Sequence, residues 1–208
     1  MIIGVLNAKG GVAKTMSSMA LATAASRREL NVTVIDTDPQ GTATNWALRA
    51  EDNGEELPFA VVSRNKAEIR RMKSRRPDAD GGVVIIDCPP DGAVLDETID
   101  VADFVVIPAR PAEIDLQQTI LACEACARQG TDFAVLMTMV RANTVSSREF
   151  RQAVLDSGAG IFDVSIPLLE EIPASFGHRF RSNLHGYGEA WNEIVDAVLE
   201  NDGKEEER

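Results

Sequence analysis

This sequence has few cysteines, no long apolar stretch and no excess of positive charge. No apolar run approaches the roughly 20 residues that a membrane-spanning helix needs. Three cysteines, an odd number in a chain without an evident secretion signal, favour a reducing cytosol over a disulfide framework. Lys and Arg number 21 against 33 Asp and Glu, and the formal charge is −12. Any binding to nucleic acid must therefore come from a local basic patch.

The length is suited to one compact domain. With 208 residues, 44% of them hydrophobic, the chain can bury a sizeable core but is too short for two ordinary domains and a linker. We predict one domain over residues 1–200 and a short, charged, frayed tail over residues 201–208. The apolar run Met1–Leu6 has no basic region before it, and we expect no signal peptide.

Short apolar runs alternate with helical patterns along the chain. Strands are predicted at Ile2–Leu6, Val32–Ile35, Val83–Ile86, Phe104–Ile107 and Phe133–Met137, and more weakly at Phe59–Val62 and Ile161–Ile166. Helices are predicted at Thr15–Arg28, Lys66–Arg75, Ile114–Arg128, Ser147–Asp156 and Gly188–Glu200. Runs that are apolar on both faces are typical of a parallel sheet covered by helices on both sides. The alternation predicts a three-layer α/β/α fold with a doubly wound, mostly parallel sheet.

A glycine-rich segment between the first strand and the first helix has the composition of a phosphate-binding loop. Main-chain N–H groups of such a loop and the helix N-terminus attract phosphate. Lys14 should reach the β- and γ-phosphates, and the Thr15 hydroxyl should bind magnesium. Ala8 and Ala13 replace glycines of the usual P-loop pattern, and we expect the Cβ of Ala13 to strain the loop. The predicted nucleotide-binding residues are Lys9, Gly10, Gly11, Val12, Ala13, Lys14, Thr15 and Met16.

Carboxylates follow two of the predicted strands, at the edge where doubly wound sheets bind ligands. Asp36 and Asp38 are two positions apart in an extended segment, so their side chains should point the same way. Asp87 follows four apolar residues, a Walker B pattern that delivers a carboxylate to magnesium. We expect ATP or ADP with Mg²⁺ to bind here, with Thr15, Asp36 and Asp87 at the metal. The alternatives are an ordinary Gly-Gly turn at the loop and a strand-end turn at Asp36–Gln40.

Lys9–Thr15 resembles the deviant Walker A signature of the ParA/MinD group of P-loop ATPases. Asp36–Gln40 and the segment Cys88–Pro90 are also similar to segments of that family. The resemblance implies an ATP hydrolase that forms a homodimer with ATP sandwiched between the subunits. In such a dimer, Lys9 would contact phosphates in the partner subunit, and Asp38 would orient or activate the attacking water. By resemblance the catalytic residues are then Lys9, Lys14 and Asp38.

The chain is most similar to short plasmid-partition ParA proteins (ParF-like), and we expect no N-terminal helix-turn-helix domain. The resemblance implies ATP-dependent dimerisation and non-specific DNA binding, which segregate a plasmid or chromosome with a centromere-binding, ParB-like adaptor. The protein would be cytoplasmic, and associated with the nucleoid when ATP is bound. Three basic groups are candidates for DNA contact. They are group one (Arg70, Arg71, Lys73, Arg75 and Arg76), group two (Arg148 and Arg151) and group three (His178, Arg179 and Arg181).

The loop after the strand Phe104–Ile107, stiffened by Pro108 and Pro111, resembles a segment that borders the dimer interface or a partner site. Thr138–Asn143 and Pro167–Ser175 resemble adenine-side segments of the family.

Three other functions remain open. The chain could position a protein cargo, such as a microcompartment, with the same nucleotide chemistry. It could cycle on membranes like MinD, but the run Glu205–Glu207 would be repelled by anionic lipid. It could be a metal-inserting P-loop enzyme, but Cys88 alone would not hold a cluster. The C-x-x-C pair Cys123 and Cys126 lies within a predicted helix and is interpreted as core packing.

Overall fold

The computed structural model describes residues 1–76 and 82–206. Six parallel strands form one sheet in the order β3-β2-β4-β1-β5-β6. The strands are β1 (Ile2–Val5), β2 (Val32–Asp36), β3 (Ala60–Ser63), β4 (Val83–Asp87), β5 (Phe104–Ala109) and β6 (Phe133–Met137). The helices are α1 (Lys14–Ser26), α2 (Thr42–Asp52), α3 (Lys66–Arg71), α4 (Val94–Val101), α5 (Glu113–Gln129), α6 (Val145–Asp156), α7 (Glu171–Ala174) and α8 (Tyr187–Glu206). The predicted doubly wound α/β/α fold is confirmed.

Each face of the sheet has its own apolar core. On one face, β1 contributes Ile3 and Val5 to a cluster with α1, α2 and α8; on the other, Ile2 packs with α3, α4, α5 and α6. Trp46 and Trp191 are both almost fully buried in the first cluster, where they act as packing anchors. Covered on both faces, the strands have the continuous apolar runs from which they were predicted.

Most predicted elements are present, some with different ends, and further helices lie between them. No element was predicted for α2, α4 or α7. Helix α3 ends at Arg71, short of the predicted Arg75. Helix α8 continues past Glu200 to Glu206, so the tail predicted to be frayed is helical up to that residue. Residues 207 and 208 of the predicted tail lie outside the described residues.

The strand predicted at Ile161–Ile166 is wrong. The segment runs beside β6 but pairs with it only near its two ends: Ile161 forms an isolated bridge with Val135, and the Ile166 N–H donates to the Met137 carbonyl at 2.8 Å. In its middle, the main-chain N–H groups of Asp163 and Val164 donate to the carboxylate of Glu193 on α8, at 2.8 and 3.0 Å. These two donors therefore turn away from the sheet, and a continuous ladder with β6 cannot form.

Pro108, predicted to lie in a loop, is part of β5. A proline is tolerated there because β1 has already ended at Val5. The Asn7 side chain, which follows β1, donates to the Pro108 carbonyl at 2.9 Å and takes the place of a main-chain partner.

The thiols of Cys123 and Cys126 on α5 are buried in the core, and burial raises the pKa of each to about 12. None of the helices in the described part of the chain is long and apolar enough to cross a membrane.

Candidate functional site

The predicted site residues meet at the carboxyl edge of the sheet. Asp36 at the end of β2 and Asp87 at the end of β4 are partners in the parallel register, and Val5 at the end of β1 is the partner of Asp87 on the other side. Three neighbouring strands therefore end at the same level. The loop that leaves β1 starts directly beside the two carboxylates.

The loop between β1 and α1 is anchored at its start by a buried side chain. Asn7 is fully buried, and its amide oxygen accepts from the Lys9 N–H at 2.9 Å. Gly11 and Ala13 both have left-handed φ values, 73° and 67°. The strain expected at Ala13 is therefore present, because a Cβ is disfavoured in that region. The anchoring role of Asn7 was missed, since its partner Pro108 is distant in the sequence.

The first turn of α1 is fixed to β4 by hydrogen bonds to one carboxylate. The hydroxyls of Thr15 and Ser18 donate to the two oxygens of Asp87, at 2.7 and 2.9 Å. Lys14 is also buried, and its ammonium donates to the carbonyl of Lys9 at 2.9 Å. Burial lowers the pKa of Lys14 below its ordinary value, an effect that nearby carboxylates, Asp87 above all, oppose.

The pKa of Asp87 departs from the ordinary value of a carboxyl group. Its carboxyl group is fully buried, and burial raises its pKa to about 7 although the hydrogen bonds from Thr15 and Ser18 oppose the rise. The negative charge of Asp36 adds to the rise. A magnesium ion would supply the positive charge that this pair of carboxylates needs, and hard oxygen ligands of this kind suit it.

Asp36 and Asp38 have different surroundings. Asp36 is buried, and one of its oxygens accepts from both the N–H and the hydroxyl of Thr44, each at 2.8 Å, which holds the first turn of α2. Asp38 is half-buried, and its carboxylate accepts from the Gln40 N–H at 2.8 Å. Asp36 thus holds α2 in place below the site. Asp38 instead lines an open cleft, where water could reach it.

A cleft of about 560 Å³ lies above the loop, and most of the predicted site residues line it. Gly10 and Gly11 line it, and nothing lies within 4 Å of where a Cβ would stand on either residue. Bare main chain on this wall allows close approach of a phosphate group. The residues that line the cleft are Gly10, Gly11, Ala13, Lys14, Thr15, Met16, Asp38, Pro39, Gln40, Thr42, Cys88, Pro89, Pro90 and Asp91.

Two of the predicted loop residues do not line the cleft: Val12 is fully buried, and Lys9 stands at the rim with about a third of its side chain exposed. Its ammonium lies 3.6 Å from a carboxylate oxygen of Asp115, near the start of α5. The other oxygen of Asp115 accepts from Arg110 at 2.7 Å. Sequence reasoning missed Asp115, because nothing in the local pattern Glu113–Leu116 separates it from any acidic first turn of a helix.

The two segments predicted on the adenine side lie next to each other. Val140 forms a bridge with Pro167, and the Thr138 hydroxyl donates to the Val12 carbonyl at 3.1 Å. The structure therefore joins both segments to the phosphate loop. Met139 and Asn143 have left-handed φ values of 53° and 58°, which turn this connection sharply after β6.

The three basic groups differ in how far acidic side chains neutralise them. In group one, Lys73 and Arg76 are paired with Asp100 and Asp103, at 2.5 and 2.7 Å. In group two, the Arg151 guanidinium donates to a main-chain carbonyl at 3.3 Å.

Group three is larger than predicted because Arg27, at the end of α1, joins it. The Arg27 guanidinium donates to three consecutive carbonyl oxygens, those of residues 180–182. Arg49 also joins the group, stacked over the Phe176 ring at 5.1 Å. Because carbonyls are neutral, the charge of Arg27 is not cancelled. An acidic side chain does lie within group three, however: the Glu55 carboxylate is 3.2 Å from the Nδ1 of His178 and accepts from the Arg179 main-chain N–H at 2.9 Å.

Comparison with known proteins agrees with this geometry. Residues 3–179 match the family described as the CobQ/CobB/MinD/ParA nucleotide binding domain. A relative named maintenance of carboxysome distribution protein A, from Gloeobacter kilaueensis, is 32% identical over 169 residues, which are 79% of this chain and 76% of that protein. A protein named ParA, from Rhizobium radiobacter, is 29% identical over 209 residues, which are 95% of this chain and 90% of that protein.

Among solved structures, a candidate plasmid partition protein from Borrelia burgdorferi B31 with AMPPNP bound has a TM-score of 0.72. It is 15% identical, and the match covers 96% of this chain and 98% of that one. At this identity the likeness shows the shared fold.

We predict that Ala13→Gly stabilises the nucleotide-free protein. Glycine relieves the left-handed strain at φ 67°, and this gain exceeds the entropy that glycine adds to the unfolded chain. The free energy of unfolding, measured by urea denaturation, should rise by about 0.5–1 kcal/mol. The matched control is Ala8→Gly in the same loop, where φ is not positive and stability should fall. Equal effects at both positions would contradict the strain.

We also predict a pH dependence that Asp87 causes. Its folded pKa of about 7 lies above its ordinary value of 3.8, so between these values the folded chain holds a proton that the unfolded chain releases. The stability that Asp87 contributes is complete below this window and is lost as pH rises through it. Relative to Asp87→Asn, the wild type should lose up to about 1.4 kcal/mol per pH unit in chelator-containing, nucleotide-free buffer. Parallel stability curves for the two proteins would refute the shift.

Proposed function

The chain belongs to the CobQ/CobB/MinD/ParA nucleotide-binding family, and from this premise we propose that it is a magnesium-dependent ParA-type ATPase. In this proposal ATP binding drives dimerisation, and the dimer binds DNA without sequence specificity. A centromere-binding, ParB-like adaptor stimulates hydrolysis, and the cycle segregates a plasmid or chromosome. The protein would act in the cytoplasm and lie on the nucleoid while ATP is bound.

One observation carries the proposal: the hydrogen bonds that join Thr15 and Ser18 to Asp87 beneath an open glycine-rich loop. The same carboxylate is in register with Asp36, so the loop, the helix N-terminus and both acidic strand ends face one point. This arrangement suits a phosphate chain with its cation. Thr15 and Asp87 would hold magnesium, which would supply positive charge beside the phosphates.

The assigned roles follow from this placement. Lys14 neutralises the β- and γ-phosphates once its ammonium leaves the Lys9 carbonyl. Thr15 and Asp87 hold the cation, and Asp36 fixes α2 under the site. Asp38, at the cleft wall, orients or activates the attacking water.

Lys9 is the residue whose proposed role requires a second subunit. It stands at the rim of the cleft, outside the set of residues that line it, and its side chain is about a third exposed. From there its ammonium can extend to a nucleotide in a facing copy of the chain. A cation supplied in trans to a transferring phosphoryl group can be worth about 10³–10⁵ in rate.

For DNA, group three is the surface that the charges favour. Group one loses two of its cations to acidic partners on the loops and helix beside it, Asp100 and Asp103. Group three instead gains Arg27 and Arg49. Its Arg27 lies at the far end of α1 from the phosphate loop, about 20 Å away for a helix of 13 residues. DNA could therefore bind there without blocking the nucleotide cleft.

A second candidate function is the positioning of a protein cargo. The observation that favours it is the 32% identity to the protein named maintenance of carboxysome distribution protein A. Such a protein would use the same nucleotide chemistry and differ in the adaptor that it meets. Co-purification of the tagged protein from its own cells with either a centromere-binding protein or a cargo shell would decide between the two.

We expect Lys9→Ala and Asp38→Ala to separate assembly from hydrolysis. Lys9→Ala should lose the dimer formed with a non-hydrolysable ATP analogue, because the trans cation is missing. Asp38→Ala should keep that dimer but lower turnover about 100-fold or more. Light scattering and phosphate release measure the two effects, and Lys66→Ala on α3 is the control. An intact Lys9→Ala dimer, or normal turnover of Asp38→Ala, would contradict the assigned roles.

DNA binding should require the ATP analogue and should weaken steeply with salt. The slope of log affinity against log salt is negative, and a double variant, Arg179→Ala with Arg181→Ala, should make it shallower by about 2 per monomer, while Arg70→Ala with Arg71→Ala leaves it unchanged. Gel retardation at several salt concentrations, with ADP as the negative control, measures both. Equal binding with ADP and with the analogue would refute ATP-gated DNA binding.

A further inference from the structure

The predicted residues of group three lie on one loop, residues 177–182, and α1 holds the main chain of its second half. The Arg27 guanidinium, just after the last residue of α1, donates to the carbonyls of residues 180–182. Its distances to the Ser182 and Phe180 carbonyls are 2.7 and 3.1 Å. A guanidinium presents several N–H donors in one plane, so a single side chain can hold this stretch of backbone. We call residues 177–182 the anchored loop.

Helix α2 holds the first half of the anchored loop. The side-chain amide of Asn53, just after α2, donates to the Gly177 carbonyl at 2.9 Å. The Trp46 indole N–H donates to the next carbonyl, that of His178, at 3.0 Å. Gly177 has a left-handed φ of 77°, and a Cβ there would stand 2.8 Å from the Cβ of Arg49. The loop therefore lies directly against α2.

The charged residues of the anchored loop are on its outer side. His178, Arg179 and Arg181 are exposed, whereas Gly177 is buried. In the part of the chain that the structure describes, residues 179–183 make no hydrogen bond from main chain to main chain. Side-chain donors from α1 and α2 thus give this backbone the support that a helix or strand would give itself. Loss of one donor should loosen the loop without removing any of its cations.

We propose that Arg27 and Asn53 are positioning residues that hold the anchored loop in one conformation, with Arg179 and Arg181 exposed to DNA phosphates. The inference rests on the proposed function, in which group three binds DNA. A mobile loop would lose conformational entropy when its cations bind phosphate, and this loss would weaken binding. Because the loop is already ordered, DNA binding avoids that cost. Arg27 therefore acts through the loop in addition to its own charge.

Two substitutions separate anchoring from charge. Arg27→Lys keeps the positive charge, but its single ammonium cannot replace a planar group that binds three carbonyls. Asn53→Ala removes one donor to the loop and changes no charge. Both residues are exposed, so both variants should fold. Arg28→Lys is the matched control, because the Arg28 guanidinium donates to the Asn192 side chain on α8 at 2.7 Å.

The first measurement needs neither DNA nor nucleotide. Trypsin cleaves after Arg181, and an anchored loop resists cleavage because a protease needs its substrate locally unfolded. Mass spectrometry of brief digests should show this cleavage to be about three- to tenfold faster in Arg27→Lys and Asn53→Ala, and unchanged in Arg28→Lys. An unchanged rate in both test variants would overturn the proposal. Equal acceleration after Arg151, within α6, would indicate general destabilisation and would also overturn it.

The second measurement is DNA affinity with a non-hydrolysable ATP analogue, by gel retardation at several salt concentrations. Protein concentrations are chosen at which light scattering shows each variant to be dimeric. Arg27→Lys and Asn53→Ala should raise the dissociation constant about three- to tenfold at every salt concentration. The salt slope should not change, because the cations that meet phosphate are all retained. Arg28→Lys should bind like the wild type.

The two measurements distinguish this inference from the proposed function. If Arg27 acted through its charge alone, Arg27→Lys and Asn53→Ala would both bind DNA like the wild type, and that result would overturn the inference while DNA binding stands. Failure of the wild type to bind DNA with the analogue would overturn the proposed function. The digestion rates would then still decide whether Arg27 and Asn53 hold the loop.

Discussion

The carboxylate of Asp87 is the contact on which the rest of the site depends. It is fully buried at the end of a central strand, and it accepts from hydroxyls on the first turn of α1. Removing either hydroxyl would leave a buried acid short of donors, which is costly. Because Asn7 fixes the other end, the phosphate loop is held at both ends by side chains while its middle stays bare main chain. Because both ends of the loop are fixed, Ala13 is held in its left-handed conformation despite the strain.

The parts of this arrangement that were predictable from sequence are the ones that parallel sheets align. Once Asp36 and Asp87 were placed at the ends of two strands, the register brought them together without further information. The phosphate loop was predictable for a similar reason, because Lys14 and Thr15 follow a glycine pair at a strand-to-helix junction. Both predictions use local chemistry whose neighbours are dictated by the fold.

The parts that failed depend on partners distant in the sequence. Helix α2 is held by the Asp36 carboxylate and by Trp46, whose indole N–H donates to the carbonyl of His178 at 3.0 Å. The Ile161–Ile166 segment has a strand-like composition, but Glu193 on α8 takes two of its donors. In the sequence, Asp115 resembles any acidic residue in a first helical turn, and only the folded chain places Lys9 beside it. No window of neighbouring residues contains these contacts, so periodicity and propensity could not show them.

The net charge of the chain limits how DNA could be bound. A formal charge of −12 per subunit, doubled in a dimer, repels DNA over long distances. At physiological ionic strength, however, charges farther away than about 8 Å are largely screened, whereas cations in direct contact with phosphate still release counterions. Group three lies at the end of α1 with Arg27 uncancelled, so DNA seated there would meet local cations before the distant acidic surface. Added salt screens the long-range repulsion but also reduces the gain from counterion release, so the two effects act against each other as salt rises. A dimer that doubles the patch shifts this balance toward binding.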